Sequence, residues 1–97
     1  MKAATAPVVS RLTFGEGEGR QPPPDYPRDA VLAHQEGTVT LRFTVGEDGR
    51  VASVEVISAS RWPLLNQAAS RAVRDTWRFN PGPKRIYEVP IEFELNH

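Results

Sequence analysis

The chain has 97 residues, a length that suits one small domain rather than two. Twelve basic and twelve acidic side chains cancel, so the net charge lacks the electrostatic footprint of a general binder of nucleic acid or anionic membranes. The absence of cysteine excludes disulfide frameworks, thiolate catalysis and cysteine metal sites, so the chain is expected to be stabilised by packing alone. No apolar run approaches the roughly 20 residues needed to cross a bilayer, so the sequence predicts a soluble chain.

The first part of the chain has the composition of a linker. Glycine alternates with glutamate from Gly15 to Gly19, a pattern that cannot bury enough apolar surface to order itself. Three prolines follow at positions 22–24 and favour an extended polyproline II spacer. We therefore predict a flexible Gly/Pro-rich linker over residues 1–21 and a folded domain over residues 22–97. Removal of the linker is expected to leave the melting temperature nearly unchanged.

A short helix is predicted after Tyr26. Pro27 suits the first helical position because the N–H that it lacks would have no intrahelical partner there, and Asp25 is a nearby capping acceptor. Gly37 suits the end of this helix, where a left-handed conformation is often required.

Two strands follow the short helix. From residue 38 the apolar residues recur with period two, which is typical of a strand with one buried face, and they are Val39, Leu41, Phe43 and Val45. A turn is predicted over residues 46–49. The second strand runs over residues 51–57, where the apolar parity slips between Val51 and Val54 and so predicts a bulge or a start at Ala52.

The clearest period in the sequence lies between residues 63 and 79 and predicts a core-facing amphipathic helix. Its apolar stripe consists of Leu65, Ala68, Ala69, Ala72, Val73, Thr76 and Trp77. Trp77 is predicted to be a core residue whose indole N–H needs a partner. Trp62 precedes the helix, so contact with a partner and packing against the helix start both remain open for it.

The last element alternates again and predicts a third strand. Its apolar positions are Tyr87, Val89, Ile91, Phe93 and Leu95. The long connection that contains the helix is typical of a right-handed crossover between parallel strands. The predicted fold is therefore α+β: a three-stranded antiparallel sheet of order 2-1-3, a short N-terminal helix and one long helix packed on one face. Pro90 indicates that strand three is a free edge, because proline cannot donate to a ladder.

Several short motifs of the predicted domain resemble the TonB C-terminal family in their order and spacing. They are Tyr-Pro at 26–27, Glu-Gly-Thr-Val at 36–39, Asp-Gly-Arg-Val at 48–51, Ser-Ala-Ser at 58–60, Leu-Asn at 65–66, Ala-Ala at 68–69, Trp-Arg-Phe-Asn-Pro at 77–81 and Val-Pro-Ile-Glu-Phe at 89–93. The resemblance covers residues 22–96. One departure is Pro23, which stands where well-known members carry glutamine in a Gln-Pro-x-Tyr-Pro motif.

This resemblance implies a non-enzymatic domain of an inner-membrane-anchored energy transducer in the periplasm of a Gram-negative bacterium. Such a domain engages the TonB box of TonB-dependent outer-membrane transporters by strand addition, and thereby couples the proton-motive force to uptake, as of iron siderophores. ExbB and ExbD are implied as partners of the part of the protein outside this chain, and a weak homodimer is a further expectation. The residues expected to bind the partner are Pro24, Tyr26, Pro27, Glu88, Val89, Pro90, Ile91, Glu92, Phe93 and Glu94.

Two other functions remain as alternatives. The first is a TonB-like adaptor in envelope assembly or sensing, without a transport role. The second is a small RNA-binding module that would use the arginines of the long helix, Arg71, Arg74 and Arg78. No catalytic residue, metal site or cofactor is predicted, because Ser58 and Ser60 lack an adjacent base and the two histidines lack metal-ligand spacing.

Overall fold

The computed structural model describes the backbone of residues 9–11 and the chain from residue 19 to residue 95. In chain order the elements are β1 (Val9–Arg11), α1 (Arg28–Leu32), β2 (Gly37–Val45), β3 (Val51–Ser58), α2 (Pro63–Thr76) and β4 (Arg85–Phe93). The strands form one sheet of order β1-β4-β2-β3. Within the described residues, neither helix is long and apolar enough to cross a membrane.

The predicted arrangement of the three long strands is confirmed. β2 lies between β3 and β4 and is antiparallel to both, so β3 and β4 run parallel to each other on either side of it. Their connection contains α2, as a crossover between parallel strands requires. The sheet has order 2-1-3 as predicted, and β1 extends it as a fourth strand parallel to β4.

The parity slip in the second strand corresponds to a real bulge. Pairing with β2 moves from Ser53 to Val51 across a single β2 step, so Ala52 is an extra residue on β3. A second shift makes Ile57 extra in the same way. Two bulges in one edge strand disturb its ladder and increase its twist.

The core lies between the sheet and α2, and Trp77 is at its centre. Its side chain is 0% exposed, its ring stands edge-on to Phe43 with centroids 5.6 Å apart, and its indole N–H donates to the Pro22 carbonyl at 2.8 Å. The prediction that Trp77 is a core residue with a partnered indole is confirmed. The other buried apolar residues are Ala30, Val39, Leu41, Phe43, Val45, Leu65, Ala69, Val73, Phe79, Val89, Ile91 and Phe93.

The long helix ends three residues earlier than its apolar period predicts. α2 stops at Thr76 and Trp77 is extended, because the next backbone groups pair with other parts of the chain. Arg78 exchanges two 2.8 Å backbone hydrogen bonds with Arg20, and the Phe79 N–H donates to the Gly49 carbonyl at 2.8 Å. Tertiary pairing thus replaces the last predicted helical turn.

Residues 19–21, at the end of the predicted linker, pack against the domain. Besides the Arg20 pairing, the Gln21 side chain is buried and its amide donates to the Arg78 carbonyl at 2.9 Å. Gly19 has a φ of 88°, and a Cβ there would lie 2.3 Å from the Arg78 carbonyl oxygen. Only glycine fits this approach. The residues before Gly19, apart from 9–11, lie outside the described part of the chain.

The two ends of the short helix α1 also differ from the prediction. Pro27 is the N-cap of α1 rather than its first helical residue, and no side-chain hydrogen bond caps the helix, so Asp25 does not have the predicted capping role. The left-handed residue at the other end is His34, with a φ of 56°. Gly37 instead begins β2, because the chain turns into the sheet three residues after His34.

Candidate functional site: the outer side of strand β4

The backbone of β4 presents two different sides. Its ladder with β2 contains nine consecutive pairs without a register shift, including Thr40 with Pro90. A hydrogen-bonded pair at this position would need the N–H that proline lacks, so Thr40 and Pro90 form a non-hydrogen-bonded pair. Val89 and Ile91 therefore bond inward to β2, and the backbone groups of even-numbered residues point outward.

Part of the outer side is covered by the chain itself. β1 pairs in parallel with β4, in the register Val9 to Ile86, Ser10 to Tyr87 and Arg11 to Glu88. The prediction that strand three is a free edge is therefore wrong over residues 86–88. Three residues are too few to show a period, so the sequence carries no clear signal for β1. Beyond Glu88, no strand among the described residues pairs with the outer side.

The partner-binding residues predicted on β4 divide into two sets. Val89, Ile91 and Phe93 are buried in the core, so neither their side chains nor their inward backbone groups face the outer side. The remaining predicted residues, which lie at even positions on or just after the strand, are Glu88, Pro90, Glu92 and Glu94. Only this second set is placed to meet an added strand.

Glutamates give the solvent face of β4 an acidic character. Glu92 and Glu94 are exposed. Glu88 is half-buried and forms an ion pair with Arg42 of β2 at 3.3 Å. This pair joins neighbouring strands on the polar face, where exposed ion pairs contribute about 0 to 1 kcal/mol. The Arg42–Glu88 ion pair therefore contributes little to stability.

Tyr26 is brought to the end of β4. Its ring stands edge-on to Phe93 with centroids 5.3 Å apart, and its hydroxyl donates to the Gln35 carbonyl. Burial raises the pKa of the Tyr26 phenol, and the nearby Glu36 carboxylate raises it further. Tyr26 therefore stays a neutral donor and fixes the segment before α1 against the strand.

Pro24 and Pro27 lie elsewhere, along a groove of about 460 Å³ between the proline segment and α2. The groove is lined by Pro22, Pro23, Pro24, Asp25, Pro27, Ala68, Arg71, Ala72, Asp75 and Thr76. The structure thus joins Tyr26 to β4 but assigns the two prolines to a separate surface.

Of the two interpretations left open for Trp62, contact with a partner and packing, the structure supports packing. Its indole N–H donates to the Glu36 carbonyl at 3.1 Å, its half-buried ring packs against the core, and the Arg61 guanidinium lies 5.9 Å from the ring centroid. Two of the arginines proposed for RNA, one in α2 and one beyond its end, are also engaged. Arg74 pairs with Asp75 at 3.1 Å, and Arg78 donates to the Trp77 carbonyl at 2.8 Å.

Comparison with known proteins supports the interpretation of the sequence motifs. The family model described as "Gram-negative bacterial TonB protein C-terminal" matches residues 22–96. The TonB protein of Escherichia coli (strain K12) is 34% identical over 95 residues, which are 97% of this chain and 39% of that protein. The TonB protein of Neisseria meningitidis serogroup C is 33% identical over 78 residues, which are 80% of this chain and 28% of that protein. The chain therefore spans well under half the length of these relatives.

Solved structures match the fold. The solution NMR structure of the Pseudomonas aeruginosa TonB C-terminal domain has a TM-score of 0.74 at 24% identity, and the match covers 89% of this chain and 95% of that one. The Helicobacter pylori TonB C-terminal domain has a TM-score of 0.63 at 28% identity, with 75% of this chain and 70% of that one covered. At 24% identity, the similarity to the Pseudomonas aeruginosa structure is evidence for the fold alone.

Proposed function

The chain belongs to the family of Gram-negative bacterial TonB C-terminal domains, and from this premise we propose that it is the peptide-binding domain of a periplasmic energy transducer. It binds the TonB box of an outer-membrane transporter, and the anchored protein of which it is a part couples the proton-motive force to uptake. ExbB and ExbD act on the remainder of that protein. The domain itself binds and transmits force and catalyses no reaction.

The observation that supports this proposal is the outer side of β4 beyond Glu88. The ladder with β2 has no register shift, so this strand is regular. Because Pro90 is in a non-hydrogen-bonded pair, the backbone groups of Glu92, two residues further along, also point away from β2. In strand addition, main-chain hydrogen bonds supply affinity and alternate side chains supply selectivity. A regular strand with outward groups is the acceptor that this mode of binding needs.

The proposal gives the predicted site residues different roles. Pro90, Glu92 and Glu94 lie beside the added strand, with Glu88 at the point where β1 begins to cover the edge. Tyr26 positions the end of β4 through Phe93. Val89 and Ile91 hold the strand to β2 from the inside. Pro24 and Pro27 line the groove beside α2, a surface separate from the added strand.

We expect the affinity to be modest, because only a few backbone groups are available. Each hydrogen bond of an added strand contributes about 0.5 to 1.5 kcal/mol net. A short peptide that forms two or three of them must also be ordered on binding, which offsets part of the gain. Weak binding in solution is therefore compatible with the proposed role.

A titration with an isotopically labelled full chain tests the proposal. The probe is a synthetic TonB-box peptide from a transporter of the same organism, with a scrambled peptide as control. Amide shifts should begin at β4, and Ile57→Lys on the opposite edge should leave the affinity unchanged. Shifts confined to Arg71, Arg74 and Arg78 would contradict strand addition at β4.

A further inference from the structure

We propose that residues 9–11 are a built-in competitor for extended segments at the outer side of β4, an inference that rests on the proposed function. β1 is itself an added strand, since it pairs with the outer side of β4 only. An incoming segment that needs the backbone groups of residues 86–88 must displace it. Among the described residues, the edge is therefore covered in one half, the closed half, and uncovered in the other, the open half.

The register places Ser10 at the centre of the closed half. In a parallel pair, a residue bonds to the two residues that flank its register partner on the other strand. Because the outward groups of β4 belong to even positions, Ser10 donates its N–H to the Ile86 carbonyl and accepts from the Glu88 N–H. Within the described residues 9–11, Ser10 is the residue whose backbone groups bond to β4.

Pro90 explains why the open half alone is a poor site. An added parallel strand can bond to the Pro90 carbonyl and the Glu92 N–H, but it finds no donor at Pro90 to continue toward Glu88. The open half therefore supplies about as many bonds as Ser10 makes in the closed half. A longer segment doubles its pairing only by taking the place of β1.

This competition lowers the apparent affinity without changing the site. The measured dissociation constant equals the intrinsic one divided by the fraction of molecules whose edge is open. Because the competitor is on the same chain, it acts at an effective concentration on the order of millimolar. Weak or isolated segments are thereby rejected more than extended ones that reach both halves.

The test uses the full chain with Ser10→Pro, which removes the donated N–H, and Ser10→Ala as the matched control that keeps it. Amide hydrogen exchange at Glu88 is measured first. It should be about two- to tenfold faster in Ser10→Pro than in Ser10→Ala, the range that one backbone hydrogen bond corresponds to. Equal exchange rates would overturn the inference.

The second measurement is a titration of both variants with a synthetic peptide of residues 7–13 of this chain. The peptide should shift the Glu88 amide and bind Ser10→Pro about two- to tenfold more tightly than Ser10→Ala. Equal affinity, or no binding to Ser10→Pro, would overturn the competition. Neither readout involves a transporter. A TonB-box peptide that fails to bind either variant would contradict the proposed function while leaving this result in place.

Discussion

The two long edge strands of the sheet are both paired with β2, yet their ladders differ. β3 contains two extra residues, Ala52 and Ile57, and its register with β2 shifts at each of them. β4 keeps one register over nine pairs. On β3, the apolar side chains of Val56 and Ile57 are each 38% exposed, beside an irregular ladder. The face of β4 instead carries glutamates.

This difference indicates which edge is suited to accept a strand. Bulges twist a strand and interrupt the spacing of its outward groups, and natural proteins use them to prevent edge-to-edge pairing. An apolar edge without such protection would associate with other chains. The bulges of β3 therefore protect that edge, while the regular β4 is covered by β1 on one half and carries charge on the other.

The largest expected effect separates the two sides of β4. Ile91→Pro removes an inward hydrogen bond and a fully buried side chain, and should cost more than about 3 kcal/mol. Glu92→Pro removes only an outward donor, so the fold should survive while peptide binding is lost. Circular dichroism melts and peptide titration of both variants measure the contrast. Equal unfolding of the two would show that even positions of β4 do not face outward.

Trp77→Ala should destabilise both edges together, by about 3 to 5 kcal/mol, because it empties the centre of the core beneath the central strand. Chemical denaturation followed by two probes, one in β3 and one in β4, measures this. Trp77→Phe keeps most of the volume and loses the hydrogen bond to Pro22, so it should cost less. Separate transitions at the two probes would mean that the edges do not share one core.

Residues 19–21, which precede α1, should contribute a smaller amount. A chain beginning at Pro22 loses the two Arg20 hydrogen bonds and that of Gln21, and should be about 1.5 to 4.5 kcal/mol less stable than one beginning at Gly19. The composition alone predicts no loss on removing residues 1–21. Thermal melts of the two truncated chains decide between these expectations, and coincident midpoints would support the linker boundary at residue 21.

The smallest expected effect is a pH dependence at the end of β4. The pKa of Tyr26 is raised from 10.0, so its contribution to stability is complete below pH 10.0 and is lost as pH rises through the folded-state pKa. Urea unfolding across this range should show a loss that Tyr26→Phe abolishes. At neutral pH the same variant should cost about 0.5 to 1.5 kcal/mol for the hydrogen bond to Gln35. An unchanged alkaline slope in Tyr26→Phe would assign the loss to another group.

The elements with a strong period were predictable from sequence. β2 alternates over its whole length. The apolar stripe predicted for the long helix identified Leu65, Val73 and Trp77 as core residues. The parity slip before Val54 located a bulge. These features arise from local spacing, since every second strand residue or every third to fourth helix residue must face the core. The family motifs follow the same elements.

Features that depend on distant pairing were not predictable in this way. The end of α2 is decided by Arg20 and Gly49, which bond to the residues that would have continued the helix. The site changed for the same reason. The alternation and Pro90 identified β4 as an edge strand, but three residues at the other end of the chain cover half of that edge.

The sequence by itself therefore determined the three long strands, the long helix, the 2-1-3 order and the family, because each depends on periodicity or on short motifs. The tertiary structure decided that Tyr26 supports Phe93 and that β1 covers residues 86–88. Strand pairing joins backbone groups that every residue carries, so a short strand such as β1 leaves little trace in the order of side chains.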